Sequence, residues 1–146
     1  LGFTPAPRAT LVAAALSLAG CGGLFGRAPV EREVRVDLPV SRDAAVRRTL
    51  AAFRVQGYRV KETLTSGTEP ETEPFEHRGE ADAVFRAAVT GDRERSRVVL
   101  TGRWRNRELA GLVRGPYREL RSDADDGVAR ELWDRLVNLG LVIRRP

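Results

Sequence analysis

Two segments flanking a short polar stretch repeat their apolar residues at every second position, and that period constrains the fold more than any other feature. Ala81, Ala83, Phe85, Ala87 and Val89 form one series; Val98, Leu100, Gly102 and Trp104 form the next. Only a pleated strand sends every second side chain to one side, so both segments read as strands with one buried face. Gly91 to Ser96 is polar and short enough to be the turn between them, which makes the pair a β-hairpin.

A further alternation comes earlier. Val34, Val36, Leu38 and Val40 are separated by Arg35, Asp37 and Pro39, and the proline places that end at a sheet edge or at the strand's finish. Ser41 then offers an N-cap hydroxyl for a helix over Arg42 to Gln56, with Val46, Leu50 and Phe53 as its apolar stripe and Gly57 as its stop. Tyr58, Val60 and Leu64 suggest another strand. Ser66 to Arg78, with Pro70, Pro74 and several glutamates, reads as a solvated acidic loop. Asn106 to Ser122 is ambiguous because Gly111, Gly115 and Pro116 interrupt any helix. Asp123 opens a last helix with the stripe Val128, Leu132, Leu136 and Leu139, flanked by Trp133 and closed by Gly140.

The element order is therefore β-α-β-β-β-α. Each strand has one apolar face and each helix one apolar stripe. The expectation is an α+β two-layer sandwich, a four-stranded, mostly antiparallel sheet with two helices on one face. The crossover through the first helix makes the first two strands parallel. Val46, Leu50, Phe53, Phe85, Leu100, Leu132 and Leu136 are the expected core, and Trp104 and Trp133 are expected to join it.

At 146 residues the chain is of one-domain length. It carries 25 Lys and Arg against 20 Asp and Glu, a formal charge of +5. Acidic residues are interspersed with basic ones, which is not the dense basic stripe of a nucleic-acid binder. One cysteine excludes an internal disulfide and a multi-cysteine metal site, and one histidine, His77, excludes a His-rich site.

The single cysteine, Cys21, follows the apolar run Leu11 to Gly20, and Arg8 stands just before that run. Roughly ten apolar residues suit the h-region of an export signal, whereas a bilayer-spanning helix needs about 20. Leu18-Ala19-Gly20-Cys21 resembles the lipobox of bacterial lipoproteins: a branched aliphatic residue, two small residues and the cysteine. The resemblance implies a signal peptide over 1–20, recognised through Leu18, Ala19 and Gly20 and cut before Cys21. The Cys21 thiol would then carry the lipid, with palmitate among the acyl groups. Two or more acyl chains give stable anchoring where one is marginal. A Gly-rich tether would span 21–30, and the domain 31–146. The address implied is the cell envelope. Outer-membrane sorting is allowed because Gly22, not aspartate, follows the cysteine.

Within the domain, Arg103, Arg105 and Arg107 recur at period two and share one strand face, with Arg114, Arg118 and Arg121 following. Such a face could bind anions, whether lipid phosphate, an acidic polymer or an acidic partner such as another envelope protein; the competing reading is a solvated face paired with neighbouring carboxylates. No nucleophile elbow, metal-ligand spacing or cofactor motif is present, so no catalytic residue, metal or cofactor is assigned. The expected function is a membrane-anchored, non-catalytic binding or assembly module. The alternative is a small envelope hydrolase using Glu76, Glu80 or Asp82. On the first reading, replacing Arg103, Arg105 and Arg107 by glutamine removes anion binding without unfolding the domain.

Overall fold

The computed structural model describes residues 2, 28–61, 67, 69–108 and 113–145. Apart from Gly2, the leader lies outside the described residues, as do Cys21, most of the tether, Leu64 and Ser66. The elements are β1 (Val34–Leu38), α1 (Arg42–Val55), β2 (Phe75–His77), β3 (Ala81–Gly91), β4 (Ser96–Glu108), β5 (Val113–Arg114), β6 (Arg118–Glu119) and α2 (Gly127–Arg144). This is an α+β sandwich with an antiparallel sheet ordered β1-β4-β3-β2, to which β5 and β6 add short pairings with β4.

The hairpin forms as its period requires. β3 and β4 pair from Ala81↔Asn106 to Gly91↔Ser96, so Phe85 meets Gly102 and Ala87 meets Leu100. β1 adds to the other side of β4, with Val34↔Leu100 and Val36↔Val98. The apolar series of the three strands thus shares one face, and Phe85, Ala87, Val98 and Leu100 are fully buried there. Farther along β4, β6 takes the place of β1, and the fully buried Leu120 follows it with its N–H donating to Gly102 O.

Ser41 caps α1, its Oγ accepting from the Ala44 N–H at 3.2 Å. The end of the helix is a Schellman turn. Gly57 has φ +86, its N–H donates to Arg54 O, and the Tyr58 N–H donates to Phe53 O. The buried stripe, however, is Ala45, Thr49, Ala52 and Phe53. Val46 and Leu50 are only half-buried, so the helix is rotated about one residue from the expected stripe. Small residues on the inner face allow the backbone close approach, and Thr49 satisfies its hydroxyl on Ala45 O at 2.8 Å.

α2 begins later and ends later than its apolar pattern predicts. Asp126, not Asp123, is the N-cap, accepting from Val128 N–H at 2.8 Å, while Asp123 pairs with Arg121. Gly140 does not close the helix. It is buried within the helix, and a Cβ there would come within 2.8 Å of Val34 Cγ1, so α2 passes close over β1 at this point. Leu132, Leu136, Leu139 and Ile143 join Ala45 and Phe53 of α1 in one buried cluster with the apolar face of the sheet, and Trp104 and Trp133 belong to it.

The largest departure lies between Tyr58 and His77. No regular strand covers Tyr58 to Lys61; Val60 makes a single bridge to Thr72. The expected acidic loop instead supplies β2 and an irregular edge beside β3: Thr72 N–H donates to Phe85 O, and Ala87 N–H to Pro70 O. Pro70 and Thr72 are buried, and Phe75 packs on Tyr58 and Phe85 with ring centroids 4.7 and 5.0 Å away. The stretch around Val60 does run parallel to β1, because it is antiparallel to Glu71–Thr72 and that edge is antiparallel to β3. The two lie on opposite margins of the sheet.

Candidate functional site

Because Trp104 is buried with the core, the residues on either side of it must face away from the core. Arg103, Arg105 and Arg107 do so, and the antiparallel register sets Asp82 of β3 directly across from Arg105. The three guanidinium groups are not free. Arg103 Nη2 donates to Glu71 Oε1 at 3.0 Å. Arg105 Nε lies 3.3 Å from Asp82 Oδ2, and Arg107 Nε 2.8 Å from Asp82 Oδ1. Arg107 also reaches Glu76 Oε1 at 2.6 Å.

Burial divides this network. The Asp82 side chain is 7% exposed, and those of Arg105 and Arg107 are 21% and 22% exposed, so one carboxylate sits nearly dry between two cations. Tyr117, from the turn between β5 and β6, lies under both Arg105 and Arg103, 4.4 and 5.8 Å from ring centroid to guanidinium carbon. Such stacking favours a cation that keeps its in-plane donors for oxygen. Arg118 lies 4.3 Å over the Trp104 ring, and the Arg121 side chain meets Asp123. The Arg114 side chain lies outside the described residues.

At the other end of the same face, Arg97 Nε donates to Asp37 Oδ1 at 2.7 Å across the β1–β4 pair. This hydrogen bond is the main cause holding the Asp37 carboxyl below its usual range. Arg86 pairs with Glu69, and Lys61 approaches Glu71 at 3.9 Å. The face is thus a lattice of ion pairs in which each of these cations meets a carboxylate. An incoming anion would have to compete with carboxylates that are already in place.

The hydrolase candidates do not assemble into an acid–base pair. Glu76 and Asp82 stand across from each other in the β2–β3 register and both bond the Arg107 guanidinium, so they serve a shared cation, and Glu80 is exposed at the β2–β3 turn. His77 turns away from Glu76 and Asp82 to meet α2. Its Nε2 is 2.7 Å from Glu131 Oε2, and its Nδ1 is 3.0 Å from Arg135 Nη1. A guanidinium can only donate, so Nδ1 is the acceptor and Nε2–H donates to Glu131. Both ring nitrogens are thereby used. The His77 contact, followed by the charge of Arg78, lowers the Glu131 pKa. Arg135 also donates to Tyr58 Oη at 3.0 Å, and burial is the main cause raising the Tyr58 pKa.

Glu71, Tyr117, Glu131 and Arg135 are therefore the contributors that strand periodicity did not reveal. Glu131 and Arg135 are one helical turn apart, a spacing visible in the sequence, but nothing local to them points to a histidine 54 residues earlier. Among the described residues no helix is long and apolar enough to cross a membrane. The chain matches no known protein family, and no curated protein matches it.

Proposed function

We propose that this chain is a lipid-anchored lipoprotein of the bacterial cell envelope, whose α+β domain is a non-catalytic binding or assembly module held at the membrane by lipid on Cys21. The observation that carries the proposal is Leu18-Ala19-Gly20-Cys21 at the end of a roughly ten-residue apolar run, with the chain's single cysteine at the position where the lipid is attached. A membrane, through that lipid, is the first partner; another envelope protein is the second.

In this reading both helices lie on the Trp104 face and the arginine face is left to solvent or a partner. The pairing of Arg103, Arg105 and Arg107 with Glu71, Asp82 and Glu76 favours a role in stiffening that face over capture of lipid phosphate. Membrane attachment then rests on the lipid. Fractionation of cells expressing Cys21→Ser tests this, because serine offers no thiol for lipid transfer. The expected result is loss of palmitate labelling and release of the domain from washed membranes or accumulation of uncleaved precursor. Normal membrane retention and labelling of the variant would overturn the proposal.

A further inference from the structure

β1 is the margin of the sheet, and its unpaired side can be identified residue by residue. Asp92 N–H donates to Arg95 O, Arg107 N–H to Glu80 O, and Leu120 N–H to Gly102 O. These bonds set the parity of β4: odd residues turn their backbone groups toward β3, and even residues turn theirs toward β1 and β6. Through Val34↔Leu100, Val36↔Val98 and Leu38↔Ser96, the even residues of β1 bond to β4. The N–H and C=O of Arg35 and Asp37 therefore point out of the sheet, and no backbone partner meets them among the described residues.

Two further observations converge on that margin. Val30 and Val137 line one cleft together with Glu31 to Arg35, which puts the Val137 side of α2 beside the free edge. Leu141, four residues on, continues that side of the helix by one turn. Val30 and Leu141 are two of three large hydrophobic residues that stand exposed among the described residues, at 40% and 45%. Charge supplies the partner's identity. If β1 meets a second β1 antiparallel about a two-fold axis at Val36, Arg35 lies opposite Asp37 of the other copy and Val34 lies opposite Leu38. Each Arg35–Asp37 pair has outward-facing backbone groups, so each exchanges both ladder bonds. Pro39, which has no N–H, ends the run. Shifting the register by two residues toward either end sets Arg35 against Arg35 or Asp37 against Asp37, a like-charge contact.

We infer that β1 is a self-association edge, where a second copy of this chain pairs antiparallel about Val36 to make one continuous sheet with the two α2 helices side by side. Isologous pairing of this kind needs a self-complementary strand, and Arg35 and Asp37 provide it. The inference stands apart from the anchor proposal, since it uses no residue before Val30.

Sedimentation equilibrium of the full chain tests it with a charge-reversal set. The wild type is expected at twice the chain mass. Arg35→Asp and Asp37→Arg each place like charges across the axis and are expected to weaken association about tenfold or more. The swap variant R35D/D37R/R97D restores opposite charges both across the axis and at the pair between positions 37 and 97 within the chain, and is expected to recover association. Circular dichroism verifies folding; should either single variant unfold, Leu141→Arg, at an exposed position of α2, carries the same test and is expected to weaken association. A monomeric wild type at about 100 μM, far above a stable dimer's μM-range dissociation constant, would overturn the inference. So would single variants that associate like the wild type, or a swap variant no better than the singles.

Discussion

Asp82 with Arg105 and Arg107, and Asp37 with Arg97, are the same chemistry at two ends of one sheet face. Both are carboxylates bonded to arginines across antiparallel strands, at similar distances. They differ in water. The Asp82 side chain is 7% exposed and lies between Arg105 and Arg107, whereas Asp37 is 71% exposed at a sheet margin. An exposed pair exchanges one solvated contact for another and contributes little. A buried carboxylate has lost its hydration and depends on its partners, so removing them is costly even where the intact pair adds little net stability. Geometry alone thus does not rank these pairs; burial does.

The largest effect expected from this contrast follows from stripping Asp82 of its cations. Arg103, Arg105 and Arg107 all changed to Gln take from the buried Asp82 carboxylate the two guanidinium groups that bond it, and unfolding in urea should show a loss of about 3–5 kcal/mol. This reverses the sequence-based expectation that the triple variant folds unchanged. A normal urea midpoint would show that water reaches Asp82 freely. Asp82→Ala should cost less, about 1–3 kcal/mol, because the two arginines can swing toward solvent and Arg107 keeps Glu76. Adding Asp82→Ala to the triple variant should recover part of the stability that variant lost, and a simple sum of the two losses would argue against coupling.

At the exposed end, Asp37→Ala, measured dilute enough for the chain to be monomeric, should leave the urea midpoint unchanged within error. A shift as large as that of Asp82→Ala would erase the distinction. The smallest effects are in pH. Asp37 and Glu131 titrate below their ordinary values when folded, so their contribution is present above about pH 4 and is lost as pH falls through the lowered values. Tyr58 is raised, so its contribution is complete below about pH 10 and is lost as pH rises through the folded value. Arg97→Gln should slightly flatten the acid limb of a stability–pH profile and leave the alkaline limb untouched.

The parts legible in the sequence are those whose partners are close in the chain or repeat at a fixed period. The β3–β4 hairpin, β1, the Ser41 cap and the Gly57 turn all follow from local signals, and so does the shared direction of Arg103, Arg105 and Arg107. The buried stripe of α1 is offset by about one residue from its hydropathy pattern because Ala45, Thr49 and Ala52 carry little hydropathy, yet their smallness is what lets the helix approach. The edge from Pro70 to His77 was hidden by its prolines and glutamates, although Phe75 and Thr72 face inward. Gly140 looked like a stop because a glycine's use at a close crossing is set by Val34, about a hundred residues away. The pairing of Asp82 with Arg105 was accessible from the hairpin register; the stacking of Tyr117 on that arginine was not.

The anchor is the claim on which the functional account turns, and its most direct measurement is mass spectrometry of the N-terminal peptide of the protein isolated from cell membranes. The account predicts that this peptide begins at Cys21 and carries a thioether-linked diacylglyceryl group on the sulfur. A peptide that begins elsewhere, or that contains Cys21 as a free thiol, would contradict it.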